Sequence, residues 1–278
     1  MKRIVTIQDI SCVGKCSLTV ALPIISAMGI ETAAIPTAVL STHTAFKNFT
    51  YRDLTNDLPK IANHWKQEKF EFDGIYTGYL GSIEQIDMLK EFFKQFKTSE
   101  NFIFIDPVMA DNGKLYAGFD TNFVKEMKKL CKTADVIVPN LTEASYMLET
   151  EYKESYSEQE IKNMLIELSN LGPKYVVLTG VSFKKNELGV MSYNKETNKF
   201  FTYFKEKVPA KYHGTGDIFA STLVGAITNN STLEDSLKIA VDYVWETIND
   251  TYKTNKEDAY GVNFETKIPY LIDRIKKN

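Results

Sequence analysis

Hydrophobic runs of strand length alternate with stretches of helical periodicity along almost the whole chain. Residues 3–7, 32–39, 74–77, 102–105, 136–138 and 175–178 form the strand-like runs, rich in Ile, Val, Phe and Tyr. Several lack polar alternation, the pattern of parallel strands covered on both faces. Between them, Ser82-x-x-Gln85 opens an apolar stripe of Ile83, Ile86, Leu89, Phe92, Phe93 and Phe96. Ser157-x-x-Glu160 opens another, of Ile161, Met164, Leu165 and Leu168, which stops at Gly172-Pro173. Both have the form of a capping box ahead of an amphipathic helix. Residues 189–193 and 200–204, joined by the polar residues 194–199, predict an antiparallel hairpin. The alternation predicts an α/β fold: a central, mostly parallel sheet between two layers of helices, with that hairpin near one edge. Neither a repeat nor a linker interrupts it, so one domain is expected over residues 1–278, with about residues 32–50 a candidate lid or dimer-interface segment.

Composition narrows the class. A chain of 278 residues that is 44% hydrophobic is long and apolar enough to bury a large core, which excludes a disordered protein. Lys+Arg 33 against Asp+Glu 36 leaves no basic field, so no nucleic-acid partner is expected. The apolar runs are too short or too interrupted to span a bilayer, so no membrane partner is expected either. Met1-Lys2-Arg3-Ile4-Val5 leads into a strand pattern without a signal-peptide core. Cys12, Cys16 and Cys131 are an odd, sparse set that suits a reducing compartment, and the expected location is the cytoplasm.

Candidate chemistry gathers at the carboxyl ends of the strands, where open α/β sheets bind ligands. Gly214-Thr215-Gly216-Asp217 stands ahead of an apolar stretch, residues 218–227. Two glycines one residue apart permit a tight turn, and a helix start adds a positive end, a combination suited to phosphate. Asp217 places a carboxylate at its lip, so phosphoryl transfer to a hydroxyl is the implied reaction class. Gln8-Asp9-Ile10-Ser11, Gly78-Tyr79, Asp106-Pro107, Pro139-Asn140 and Thr179-Gly180 follow the other strands. Asn140-x-x-Glu143 reads first as a helix cap and second as oxygen groups facing a hydrated Mg²⁺, and Asp106 first as a turn former and second as a site residue. Gly14-Lys15-Cys16-Ser17 fails as a phosphate loop, having Asp at position 9 and Cys at position 16 where that pattern needs Gly and Ser or Thr. Gly214-x-Gly216 lacks the third glycine of a dinucleotide fingerprint, and His213 reads as incidental to the turn.

Taken in order, Thr77-Gly78-Tyr79-Leu80-Gly81, Asp106-Pro107-Val108-Met109, Pro139-Asn140-Leu141-Thr142-Glu143 and Gly214-Thr215-Gly216-Asp217 closely resemble the ribokinase-like small-molecule kinases, particularly the pyridoxal (vitamin B6) kinases. Ser41-Thr42-His43-Thr44 resembles their substrate-side segment, and the likeness runs from Ile4 to about Ile227. It implies a three-layer ribokinase-like fold, usually a homodimer, that uses ATP and Mg²⁺, with K⁺ or Na⁺ as a further candidate ion. Asp217 would be the base on the substrate hydroxymethyl, and the backbone of Gly214, Thr215 and Gly216 the anion hole. Asn140, Glu143 and Asp106 would serve the metal and phosphates, with Thr179, Gly180 and Thr215 near the nucleotide. Asp9, Ser11, His43, Thr44 and Tyr79 would face the B6 vitamer. One departure stands out: Asp9-Ile10-Ser11 is similar to the hydroxymethylpyrimidine kinases, which typically carry Cys where this chain has Asp217. That leaves a hydroxymethylpyrimidine kinase as the alternative. The non-enzyme alternative is a silent ligand sensor, which the intact Asp217, Asn140 and Glu143 argue against.

Overall fold

Hydrophobic strands and amphipathic helices alternate as the sequence pattern predicts, in a computed structural model that describes residues 1–254 and 260–276. In chain order the first elements are β1 (Arg3–Val13), α1 (Leu18–Ala27), β2 (Glu31–Thr42), β3 (Tyr51–Asp53), α2 (Leu58–Gln67) and β4 (Gly74–Thr77). Then come α3 (Ile83–Phe96), β5 (Phe102–Ile105), β6 (Ala110–Asp111), β7 (Lys114–Leu115), α4 (Thr121–Cys131), β8 (Val136–Ile137) and α5 (Leu141–Leu148). The last are α6 (Glu158–Asn170), β9 (Tyr175–Val181), β10 (Glu187–Asn194), β11 (Lys199–Glu206), α7 (Thr215–Thr228), α8 (Leu233–Lys253) and α9 (Ile268–Lys276). Backbone packing divides them into two units, Met1–Gly78 with Val208–Asn278, and Tyr79–Lys207.

In the first unit, β1 runs parallel to both β2 and β4, and β3 closes antiparallel on β2. Ile4, Val5, Ile7, Ile75 and Tyr76 are fully buried, as the unalternating pattern requires. β1 extends to Val13, well past residue 7 where its apolar run ends, because β2 continues alongside and pairs Val39, Leu40 and Thr42 with Ile10, Ser11 and Val13. The register slips on the way: Gln8 pairs with Pro36 and Ile10 with Val39, so Asp9 sits at an irregularity. Pro36, which has no N–H to give a ladder, falls at that slip. α7 packs against α1 and α8 and is buried on nearly every side, which explains its apolar composition.

In the second unit, β5, β8 and β9 are parallel, β10 is antiparallel to β9, and β11 is antiparallel to β10. The hairpin predicted from residues 189–204 is therefore present. α3 packs on α4, α4 on α5 and α5 on α6. Ser157 and Glu160 form the predicted capping box. At α3 the Ser82 hydroxyl caps Gln85, but the Gln85 side chain accepts the Gly81 N–H at 2.8 Å, one residue earlier than a regular box. β9 runs on through Thr179 and Gly180, so both lie in the strand rather than after it.

Candidate active site

The turn at Gly214-Thr215-Gly216-Asp217, in the first unit, is shaped by close backbone packing. Gly214 is the N-cap of α7 at φ 77, and a Cβ there would sit 1.8 Å from the Lys15 carbonyl oxygen, so no other residue fits. A glycine N-cap has no side chain to close the first turn. The N–H groups of Thr215, Gly216 and Asp217 therefore keep the open donors of a helix start. Gly216 is exposed, and a Cβ on it would meet nothing within 4 Å, which leaves the backbone approachable. Such a cradle suits a phosphate by both donor geometry and dipole.

Asp217 follows as the third residue of α7 and is half-buried. Burial pushes its carboxyl up to about 7, against the lowering effect of the Ser17 backbone N–H, and the negative charge of Asp9 adds to the rise. Asp9 is itself buried, which raises its pKa, while two hydroxyls oppose the rise. Ser17 Oγ donates to Asp9 Oδ1 at 2.5 Å, and Ser11 Oγ donates to Asp9 Oδ2 at 3.3 Å. Cys16 lies in the same cluster, where burial and then the charges of Asp217 and Asp9 push its thiol up to about 12. Such a rise disfavours the reactive thiolate form. His43 is buried, its Nδ1 accepts from Ala45 N at 3.3 Å, and its ring centroid lies 5.1 Å from that of His213. Gly14 backs onto the same ring, since a Cβ there would meet His43 Cδ2 at 2.4 Å.

The second unit holds the other predicted cluster. Asn140 caps α5, its Oδ1 accepting Thr142 N at 2.9 Å and Glu143 N at 3.0 Å, and Glu143 Oε2 returns to Asn140 N at 2.8 Å. Glu143 also accepts the Met109 N–H at 3.1 Å and the Ala110 N–H. Asn140 Nδ2 donates to the Ala110 carbonyl at 2.8 Å, and Thr142 Oγ1 accepts Gly113 N at 3.0 Å. Residues 109–113 are thus stapled to the start of α5. Burial pushes Glu143 up to about 8 despite those backbone donors, and the charge of Asp111 adds to it. Asp106 is buried just beyond β5, and with Glu143 it acts, after burial, to raise the pKa of the buried Cys131. Thr179 bridges to Asn140, its N–H bonding Pro139 O at 3.1 Å, and Gly180 follows at φ 75. Among the described residues, no group of three or more His, Cys, Asp or Glu side chains is arranged to hold a metal ion.

The remaining predicted residues are more dispersed. Thr44 is exposed on the turn after His43, Tyr79 stacks near Phe119 with ring centroids 5.7 Å apart, and Thr215 Oγ1 bonds Tyr212 O at 3.4 Å. Sequence reasoning missed Ser17 and the Met109 and Ala110 amides. It also missed Lys15, whose ammonium reaches Glu265 at 2.8 Å and Asn263 at 3.1 Å. Only Ser17 carried a sequence signal, as a hydroxyl directly ahead of the apolar residues of α1.

Parallel strands with a helix start of open backbone donors and a carboxylate in its first turn form a fold and a site that suit a small-molecule kinase. The chain belongs to the phosphomethylpyrimidine kinase family, whose sequence profile matches residues 22–262. A Bacteroides thetaiotaomicron protein provisionally named a phosphomethylpyrimidine kinase shares 40% identity and superposes with a TM-score of 0.95, over 97% of this chain and 93% of that one. A second crystal form of that protein was solved with pyridoxal. Pyridoxal kinase from Lactobacillus plantarum is 29% identical, with a TM-score of 0.91 over 100% of this chain and 99% of its own. The hydroxymethylpyrimidine/phosphomethylpyrimidine kinase of Aquifex aeolicus is 28% identical over 192 residues, 68% of this chain and 72% of that protein. The expected ribokinase-like α/β fold is the fold of these structures. These homologues are phosphotransferases acting on a hydroxyl group, and together they support a kinase of the B6 or hydroxymethylpyrimidine type. Such a family implies ATP and a divalent metal. Among the described residues, no helix is long and apolar enough to cross a membrane.

Proposed function

We propose that the chain phosphorylates the 5′-hydroxymethyl group of a B6 vitamer, with Asp217 as the base and the backbone of residues 214–217 as the anion hole. One observation carries this reading: a carboxyl stands in the first turn of a helix whose glycine N-cap supplies no side-chain cap, and burial pushes that carboxyl up to about 7. A base is most effective when its pKa lies near the working pH. Asp217 accepts the hydroxyl proton, and the Gly216 and Asp217 amides hold negative charge on the transferring group in place, each such donor being worth about 10²–10³ in rate. Bound ATP supplies the phosphoryl group and Mg²⁺ offsets its charge. Oxygen donors alone suit Mg²⁺, which keeps part of its water shell. Asn140 Oδ1 and both Glu143 oxygens already accept backbone N–H groups, so in this reading they serve the ion through water, with Asp106 as the remaining carboxylate.

Thr179, Gly180 and Thr215 are assigned to the nucleotide, with K⁺ or Na⁺ as a further ion, and Asp9, Ser11, His43, Thr44 and Tyr79 to the vitamer. Homodimer formation, with residues 32–50 as lid or interface, and a cytoplasmic location belong to the same proposal. The second reading, a hydroxymethylpyrimidine kinase, is favoured by Asp9-Ile10-Ser11. Asp217 in place of Cys tips the choice toward B6. Coupled ADP release with ATP and Mg²⁺ tests both, using pyridoxal, pyridoxamine, pyridoxine and hydroxymethylpyrimidine as acceptors. Turnover is expected on at least one B6 vitamer, and turnover confined to hydroxymethylpyrimidine would reverse the assignment.

A further inference from the structure

We infer that Ser17 is a positioning residue of the phosphoryl-transfer site, gripping Asp9 with its hydroxyl and Asp217 with its backbone amide so that the two carboxylates work as one unit. The inference rests on the reading of Asp217 as the base.

Ser17 is the N-cap of α1, and its carbonyl accepts Val20 N at 3.0 Å and Ala21 N at 2.9 Å. Serine suits that place because its hydroxyl normally accepts an N–H of the first turn. Ser82, Ser157 and Thr232 do this at their own helices. Ser17 makes no such bond; its hydroxyl turns away and donates to Asp9 Oδ1 at 2.5 Å. Its backbone is also held at φ 50, ψ −133, a conformation an L-residue rarely adopts. Two local preferences are thus given up at one buried residue, and departures of this kind collect at functional sites.

The surrounding packing explains how the conformation is imposed. Where a Cβ on Gly214 would stand, the Lys15 carbonyl oxygen is 1.8 Å away and Cys16 Cα 3.5 Å, so residues 15–16 lie flush against the anion loop. The next amide, that of Ser17, then meets the Asp217 carboxylate. On the other side Asp9 stands at the β1–β2 register slip, with Ser11 as its second donor. As the substrate hydroxyl gives its proton to Asp217, the Ser17 N–H keeps the carboxylate aimed. The Ser17 O–H donates to Asp9, opposing the rise that burial gives its carboxyl, and itself transfers nothing.

Ser17→Gly and Ser17→Ala separate this role from a structural one. Glycine adopts φ 50 without strain, which offsets the loss of the bond to Asp9, so Ser17→Gly is expected to melt within a few degrees of wild type while kcat falls about 10- to 100-fold, with KM for ATP within about twofold. Ser17→Ala is expected to lose kcat similarly, and where it fails to fold Ser17→Gly decides alone. The double variant Asp9→Asn/Ser17→Gly should be little slower than the worse single variant, since coupled residues are not additive. Ser17→Gly with kcat within about twofold of wild type, or fully additive losses, would overturn the inference. With wild type active and Asp217→Asn inactive, such a result removes only the role of Ser17. A wild type that turns over no acceptor in the panel removes the kinase reading and this inference with it.

Discussion

Asp217 and Glu143 occupy the same place in their helices, the third residue after the N-cap, and their surroundings put them to opposite uses. Asn140 supplies the cap of α5, and Glu143 has the length to reach back to the Asn140 amide and on to Met109. Gly214 supplies no side chain, and Asp217 is one methylene shorter, so its carboxylate goes to the Ser17 amide and the neighbourhood of Asp9. A third case separates the causes. Glu160 holds the same position in α6, half-exposed and hydrogen-bonded to Lys153 and Ser157, and is held down at about 2. The helix dipole favours the anion in all three. Glu143 and Asp217 are nonetheless pushed up to about 8 and about 7, with burial the largest cause in both. A carboxylate engaged in a capping box holds structure and reaches a ligand only through water, whereas one left outside the box is free to act on a ligand directly.

The strongest way to break that contrast is Asp217→Asn. If Asp217 is the base, kcat falls about 10²–10⁴-fold while ATP affinity, measured by calorimetry, is kept. Stability should move the other way. The folded pKa of about 7 lies above the ordinary 3.8, so the favourable contribution is complete at low pH and disappears as pH rises through about 7. Asp217→Asn should therefore melt higher than wild type at pH 8, by about 1–3 kcal/mol for a half-buried group, and match it near pH 4. Unchanged turnover would end the catalytic assignment, and a lower melting point at pH 8 would end the account of burial. Gly214→Ala tests the cradle holding this carboxylate. With a Cβ driven into the Lys15 carbonyl at positive φ, it should lose both kcat and thermal stability.

Glu143→Ala is the converse. It opens the α5 capping box and strips the acceptor from the Asn140, Met109 and Ala110 amides. A loss of about 2–4 kcal/mol is expected in urea unfolding, because buried donors are left unpaired. A variant as stable as wild type would show that the box is not what Glu143 is for.

Much of this contrast was written in the chain, and some of it was not. Both third-position carboxylates are visible as Asn140-x-x-Glu143 and Gly214-x-x-Asp217, and the strands feeding them are unbroken apolar runs. What Glu143 holds was hidden, because Met109 and Ala110 contribute only backbone amides, which any residue possesses. The far half of β1 was hidden too, since Ile10, Ser11 and Val13 are strand only because β2 lies alongside. Asp9 and Ser17 meet across a turn set by Gly14, whose tight fit is against His43, and the ring of His43 lies tilted beside that of His213. That juxtaposition needs the fold. Gly14-Lys15-Cys16-Ser17 looked like a failed phosphate loop; it is a packing turn, with Lys15 bound to Glu265 from the far end of the chain.

The subtlest expected effect concerns how Asp9 tunes Asp217. Of the influences on Asp217, burial is the largest, the Ser17 amide opposes it, and the charge of Asp9 adds a smaller rise. In wild type, kcat should fall on the acid side as Asp217 takes a proton near pH 7. Asp9→Asn removes the neighbouring charge but keeps an oxygen for the Ser17 hydroxyl, so Asp217 becomes a slightly stronger acid. The acid limb of the kcat profile should then move to lower pH, by about 0.3–1 unit for a close like charge. KM for the acceptor rises as well if Asp9 also touches the substrate, but that change leaves the limb of kcat where it is. A profile recorded from pH 5 to 9 separates the two. An acid limb that stays in place would mean that the charge of Asp9 does not bear on Asp217, and one that moves upward would mean that Asp9 stabilises the Asp217 anion, the reverse of this account.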